Sequence, residues 1–233
     1  MKVKWVPSLA AVFALLLAGC QPSEEGSADA PAASAPAASG AAAAAQEARL
    51  APLPGKSPPA LTQVTKVRLA TTAGDVVIEV YPQAAPNAAK RFVELVTAGF
   101  YDQTPISRVV PGFVAQFGVN WREPHNAWEN RHFNDDPTLF ALERGTLAFA
   151  KGGPNTNSTQ VFINYIENNR LASPQLNFSA FAKVVEGMDV VDKFVQVGDP
   201  SMGLDQGRLW ADGGSYLESL PVKPTMIEKA TVE

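Results

Sequence analysis

The chain has 233 residues, 19 basic and 23 acidic side chains, a formal charge of −4 at neutral pH and a single cysteine. That length permits one or two domains. The mild acidity leaves no electrostatic footprint for nucleic acid, and one cysteine excludes an internal disulfide. The chain starts Met1-Lys2-Val3-Lys4-Trp5, runs through apolar residues to Leu15-Leu16-Leu17 and reaches Ala18-Gly19-Cys20. A positive start, a short apolar stretch and small residues at a cleavage point read as an export signal over residues 1–20. The apolar run falls short of the roughly 20 residues that span a bilayer.

Leu17-Ala18-Gly19-Cys20 resembles the lipobox of bacterial lipoproteins, in which the cysteine is lipidated and becomes the first mature residue. The resemblance implies a membrane anchor at Cys20, with stable attachment if more than one acyl chain is added. Gln21 stands where the inner-membrane retention signal usually has Asp, which implies an outer-membrane destination facing the periplasm. Residues 21–60 are dominated by Ala, Pro, Ser and Gly, as in Ala30-Pro31-Ala32-Ala33-Ser34-Ala35-Pro36. Such a tract buries too little apolar surface to offset the entropy of ordering, so it is expected to be a flexible tether.

From Val64 the texture changes to that of a folded domain. Val67–Thr71 and Val76–Tyr81 are β-rich runs joined by Ala73-Gly74-Asp75, which predicts a hairpin. Pro86 opens a helix at its first position, with Phe92, Leu95 and Val96 as its buried stripe and Gly99 as its stop. Strands follow at Ile106–Val110, Phe113–Phe117, Gly145–Ala150, Val161–Tyr165 and Ala180–Val184, then a short helix at Met188–Phe194 and a last strand at Met226–Val232. With many strands and no βα alternation, the order predicts a mainly β fold, an antiparallel barrel capped by helices.

Standard catalytic groups are scarce. His125 and His132 lie in a Trp/Asn/Pro-rich loop whose spacing matches no zinc signature. Lys151-Gly152-Gly153 lacks the order of a phosphate-binding loop, and there is no hydrolase elbow. Two other segments stand out. Ser107-Arg108-Val109-Val110-Pro111-Gly112-Phe113-Val114-Ala115-Gln116-Phe117 puts an arginine ahead of a Pro-Gly turn and a strand, with Phe113 and Ala115 expected on one face and Val114 and Gln116 on the other. Gly145 to Ile163 reads as a strand, the loop Lys151-Gly152-Gly153-Pro154-Asn155-Thr156-Asn157-Ser158-Thr159 and a second strand that begins at Gln160.

With Phe181-Ala182-Lys183-Val184-Val185-Glu186-Gly187-Met188, these segments resemble the motifs of the cyclophilin family, in the same order and over roughly Val64–Val232. The resemblance implies an eight-stranded antiparallel barrel closed by two α-helices, over residues 61–233. It implies peptidyl-prolyl cis–trans isomerase activity on proline-containing, unfolded or exported polypeptides, with no cofactor or metal, from a monomer. By position, Arg108 matches the catalytic arginine, Phe113 the aromatic floor under the proline ring, and Gln116 the glutamine that bonds substrate backbone and supports the arginine. Val114, Phe162, Leu171 and Phe178 match pocket walls, and Ala150, Lys151, Gly152 and Gln160 the groove for peptide backbone. A module that holds proline segments without turnover is the alternative the sequence leaves open.

The residue types suit the reaction. Rotation of an X–Pro bond is opposed by amide resonance, a barrier of about 18–20 kcal/mol. A donor aimed at the prolyl nitrogen, whose lone pair returns as the amide twists, stabilises the twisted state above the planar one. Arginine keeps its charge and holds direction. Phe117 stands in place of a family glycine and is expected to add bulk beside the site. Arg170 falls where drug-sensitive members carry tryptophan, which implies weak cyclosporin binding.

Overall fold

The computed structural model describes residues 50–233; the expected export signal over residues 1–20, Cys20 and the expected tether up to residue 49 lie outside the described residues. Eight strands close into a barrel: β1 Thr65–Thr71, β2 Gly74–Val80, β3 Thr104–Val110, β4 Val114–Phe117, β5 Thr146–Phe149, β6 Val161–Asn164, β7 Ala182–Glu186 and β8 Met226–Val232. Their order around the barrel is β1-β2-β7-β5-β6-β4-β3-β8, and all pairs are antiparallel. This is the mainly β barrel that the strand-rich sequence predicts.

Period-2 alternation decides the faces. Val67 and Leu69 of β1, Ile78 of β2, Ile106 of β3, Ala115 and Phe117 of β4, Leu147 and Phe149 of β5 and Ile163 of β6 point into one buried core. Within it Phe92 meets Tyr101 and Phe181 at 5.5 and 5.3 Å between ring centres, and Phe149 meets Phe181 at 5.3 Å. Each fully buried side chain of this kind contributes about 1.5–3 kcal/mol. Exposed ion pairs contribute about 0–1 kcal/mol, so the interior aromatics dominate the stability. Phe117 is fully buried and edge-on to Tyr101; it fills the barrel instead of crowding the site, correcting the expectation of bulk beside it.

Helix α1, Pro86–Thr97, has Pro86 in its first turn and buries Phe92, Leu95 and Val96 against one end of the barrel. Its own Ncap, Ala85, offers no side-chain acceptor. Asp136, from a distant loop, accepts from the N–H groups of Asn87 and Ala88 at 3.1 and 2.8 Å. Helix α2 is one turn, Met188–Val191, shorter than the expected Met188–Phe194.

Two features go beyond the sequence reading. A third helix, α3, spans Gln206–Ser219, where no element is predicted. It buries Leu209, Gly213 and Tyr216 against Val119, Val197 and Leu204. One of its three inward positions is glycine, and Asp212 breaks the helical dihedrals, so no apolar stripe is visible in the sequence. Second, the end of the Ala/Pro-rich tract packs on the domain. Leu53 N–H donates to Leu139 O at 2.9 Å, Ala141 N–H donates to Ala51 O at 2.8 Å, and Leu50 and Leu61 are buried. Among the described residues no helix is long and apolar enough to cross a membrane.

Candidate active site

The site lies on the outer face of β3, β4, β6 and β5. Arg108 of β3 and Gln116 of β4 are direct cross-strand partners, Gln116 in turn faces Phe162 of β6, and Phe162 faces Ala148 of β5. Directly opposed residues share a face, so the register alone gathers arginine, glutamine and phenylalanine on the side away from the core. Phe113 joins them by a different route. It precedes β4, in a turn closed by a bond from its N–H to Val110 O at 3.0 Å, with Gly112 at φ +70. The strand alternation expected to pair Phe113 with Ala115 therefore does not reach it. Ala115 points into the core, while Phe113 packs with the cluster around Val114, Phe162 and Leu171.

The result is a cleft of about 460 Å³, within the range of small-ligand sites. Arg108, Phe113, Gln116, Val114, Ala150, Lys151, Gly152, Gln160, Phe162, Leu171 and Phe178 all line it, so every residue matched by position to the catalytic group, the pocket walls or the peptide groove meets the same space. Its apolar half is built on Phe162 and Phe178, edge to face at 5.7 Å, with Phe113, Val114 and Leu171. Four further residues, Thr156, Ser158, Met202 and Gln206, complete the lining. The first two belong to the Gly-Pro-Asn-Thr-Asn loop quoted above. Met202, from the segment leading into α3, and Gln206, the first residue of that helix, carry no sequence signal; Met202 is 68% exposed.

Arg108 is fixed from two sides. Its Nε donates to Ser201 O at 2.7 Å and its Nη1 to Gln116 Oε1 at 3.3 Å, and the guanidinium carbon is 5.7 Å from the centre of the Phe113 ring. Burial lowers the pKa of this guanidinium from the usual arginine value; arginine nonetheless stays protonated in proteins. The loop that supplies Ser201 is tightly closed. Asp199 and Gly203 exchange both backbone bonds at 2.8 Å, and Asp199 Oδ1 accepts from the N–H groups of Ser201 and Met202 at 2.8 Å each, bonds that hold its carboxyl below the usual range. Gly203, at φ +76, lies so close to β3 that a Cβ there would be 2.4 Å from Ser107 O and 2.7 Å from Arg108 Cα.

Lys151 lines the cleft, and its charge is met by protein groups. Its side chain is 4% exposed and its Nζ lies 2.7 Å from Asp135 Oδ2, donates to Asn177 O at 3.0 Å and sits 5.3 Å from the Phe178 ring centre. Asp135 also accepts from Asn157 Nδ2 at 2.7 Å, while its own N–H donates to Asn155 Oδ1 at 2.8 Å. Desolvation raises the Asp135 pKa, but the bonds from Lys151 and Asn157 outweigh it and hold the carboxyl below its ordinary value. This charged hub ties the 130s loop, the Gly-Pro-Asn-Thr-Asn loop and the Asn177–Phe178 segment into one wall. Gly152 is shaped by Thr156, whose Oγ1 accepts from Gly152 N–H and Gly153 N–H at 3.2 and 3.0 Å.

His125 lies edge-on to Phe100 at 6.0 Å, and among the described residues no group of three or more His, Cys, Asp or Glu is gathered to hold a metal ion.

The family described as cyclophilin type peptidyl-prolyl cis-trans isomerase/CLD matches residues 66–229. The chain is 36% identical over 148 residues to a peptidyl-prolyl cis-trans isomerase of Acinetobacter baylyi, covering 61% of this chain and 78% of that protein. It is 33% identical over 181 residues to peptidyl-prolyl cis-trans isomerase A of Dickeya dadantii, covering 74% and 87%. Among solved structures, a cyclophilin type peptidyl-prolyl cis-trans isomerase of Cryptosporidium parvum superposes with a TM-score of 0.55 at 22% identity, over 73% of this chain and 98% of that one; this likeness concerns the fold.

Proposed function

Because this chain belongs to the cyclophilin-type peptidyl-prolyl cis–trans isomerases, we propose that its reaction takes place in the cleft beside Arg108, on proline-containing segments of exported, unfolded polypeptides, and that Cys20 anchors the enzyme by lipid in the periplasm, at the outer membrane. The reaction needs no covalent step. The apolar half, Phe113, Val114, Phe162, Leu171 and Phe178, takes the proline ring out of water and holds it by packing. The residue before proline then turns about the amide bond while the ring stays still.

As the bond twists, resonance is lost, the prolyl nitrogen becomes pyramidal and its lone pair becomes an acceptor. Arg108 supplies the donor. Nε and Nη1 are occupied by Ser201 O and Gln116 Oε1, which leaves Nη2 available to the substrate. A donor held in place before the reaction costs no reorganisation as the charge develops, and the planar ground state offers it no lone pair, so the interaction is specific to the transition state. Gln116 holds the guanidinium, and Ala150, Gly152 and Gln160 flank the extended peptide.

The observation that carries this reading is the doubly held guanidinium of Arg108 beside the Phe113 ring. The test is cis–trans relaxation of a proline peptide with wild-type protein and Arg108→Ala. The rate constant is expected to fall by about 10²–10³, the effect of removing one preorganised donor, with an unchanged thermal midpoint. A rate that survives the substitution overturns the assignment. The anchor rests on the lipobox-like Leu17-Ala18-Gly19-Cys20 and the Ala/Pro-rich tract behind it. Cys20→Ala is expected to abolish acyl labelling and move the protein from the outer-membrane to the soluble fraction of cells.

A further inference from the structure

We infer that Gln206, the first residue of α3, is a positioning residue for the isomerase reaction: it sets the direction of a chain of side-chain amides that ends on Arg108. The inference rests on the assignment of Arg108 above. Gln160 Nε2 donates to Gln206 Oε1 at 3.0 Å. Gln116 Nε2 donates to Gln160 Oε1 at 2.7 Å. Arg108 Nη1 donates to Gln116 Oε1 at 3.3 Å. Gln116 and Gln160 both point their oxygen toward Arg108 and their nitrogen toward Gln206, whose oxygen faces them.

That common direction matters because an amide is a donor at one end and an acceptor at the other, and the two ends have nearly the same shape. Packing alone does not distinguish an amide from its flipped form. Arg108 is a donor only, so a flipped Gln116 would turn its NH₂ against the guanidinium and release it toward solvent. Gln160 prevents this by offering its oxygen to Gln116, and it does so only while its own NH₂ has an acceptor on the far side. Gln206 Oε1 is that acceptor. Hydrogen bonds aligned in one direction also polarise one another, so the far end strengthens the near end.

The fold places Gln206 with care. Asp205 is the Ncap of α3, its Oδ1 accepting from Arg208 N–H at 2.9 Å, and its own N–H donates to the Tyr216 hydroxyl at 3.0 Å. The turn before the helix is fixed by Leu204 N–H on Ser107 O at 2.8 Å, next to Arg108 in β3. The same connection therefore holds the arginine twice: through the Ser201 carbonyl on Nε, and through Gln206 and two glutamines on Nη1. The second hold is adjustable by chemistry at a single half-buried position.

The experiment uses polarity as its probe. In the full-length protein, Gln206 is replaced by Met, which keeps the length and removes the acceptor, by Glu, an acceptor only, and by Lys, a donor only. kcat is read from exchange of a proline peptide at saturation, and peptide affinity by titration. Gln206→Met is expected to lower kcat about three- to tenfold, the net worth of one hydrogen bond. Gln206→Glu restores it, and Gln206→Lys, which reverses the row, lowers it further, while affinity moves by less than about twofold. In an Arg108→Ala background the Met substitution has no additional effect, since the row acts only through that arginine.

Equal losses for Met, Glu and Lys would show a packing role and overturn the inference, as would no loss for any of them. If Arg108→Ala itself leaves kcat intact, it is the assignment of the arginine that fails. A collapse with Arg108→Ala and no response at Gln206 removes the relay alone.

Discussion

The indole of Trp121 lies directly on Gly213: a methyl group added at that glycine would sit 2.1 Å from Trp121 Cδ2 and 2.3 Å from Cε3. The loop after β4 and helix α3 are thus joined through the absence of a side chain. Because the first residue of α3 bonds Gln160, which lines the cleft, this contact is linked to the cleft through the helix, although neither residue lines it.

Gly213→Ala is therefore expected to push α3 off the barrel, with a loss of about 1–3 kcal/mol typical of overpacking and a slower isomerisation rate. The neighbouring glycine gives the control. A Cβ at Gly214 has only Trp121 Nε1 near it, at 4.0 Å. Gly214→Ala is expected to be neutral or to stabilise by about 0.5–1 kcal/mol, through lower backbone entropy of the unfolded chain. Thermal unfolding and peptide relaxation on both variants check this; a shared response would disconnect Trp121 from the effect.

The strands and most of the cleft were legible because two kinds of sequence signal coincide there. Alternation marks the inward faces of the barrel, and the arginine, the Pro-Gly turn and the Gly-Pro-Asn-Thr-Asn loop carry a family pattern onto the outward face. The signal ran out where a structural role is carried by backbone, by missing atoms or by a side chain far away in the sequence. Ser201 acts through its carbonyl, Gly213 through having no Cβ, and Asp136 caps a helix some fifty residues away in the chain. Phe117 was misplaced for a related reason: a family comparison names a bulky replacement without saying which face of the strand it occupies.

The Asp135–Lys151 pair makes acid sensitivity predictable. Both side chains are largely buried, and removing one partner from a buried pair costs about 3–5 kcal/mol. Asp135→Ala is expected to destabilise by that order, and Asp135→Leu combined with Lys151→Met to recover most of it. Since the Asp135 pKa is lowered in the fold, its stabilising effect is full above the ordinary aspartate value of ~3.9 and disappears as the pH falls through the lower folded value. Asp136, whose pKa burial raises, works in the opposite sense and blunts the loss. Urea midpoints measured from pH 7 down to ~2.5 should fall less steeply for the apolar double variant than for wild type; parallel curves would show that Asp135 does not drive acid unfolding.

The segment around Leu50 belongs to the packing behind the cleft. Leu50 and Leu61 share a cluster with Val114, Phe162 and Leu171, which line the site. Leu50→Ala is expected to lower stability by about 2–5 kcal/mol and to weaken peptide binding measurably, because the pocket walls lose support from behind. Calorimetry and a peptide titration test this in the full chain. Unchanged affinity with a lowered midpoint would confine the role of the segment to stability.

Arg170 provides the last test. Its guanidinium carbon lies 5.2 Å from the centre of the Phe113 ring, so a cation stands beside that ring, at the position that the motif resemblance aligns with the tryptophan of drug-sensitive cyclophilins. A hydrated, charged group in place of an indole removes apolar contact area and must be desolvated by any bulky apolar ligand that covers it. Cyclosporin is therefore expected to inhibit weakly. Arg170→Trp should strengthen inhibition by about tenfold or more, since a buried tryptophan anchor commonly contributes at least ~2 kcal/mol at an interface, and it should leave peptide isomerisation nearly unaltered, because Arg170 makes no bond to Arg108 or Gln116. Dose–response curves on the two proteins decide it: strong inhibition of the wild type, or no gain from the tryptophan, would mean that Arg170 does not occupy the place its contact with Phe113 assigns to it.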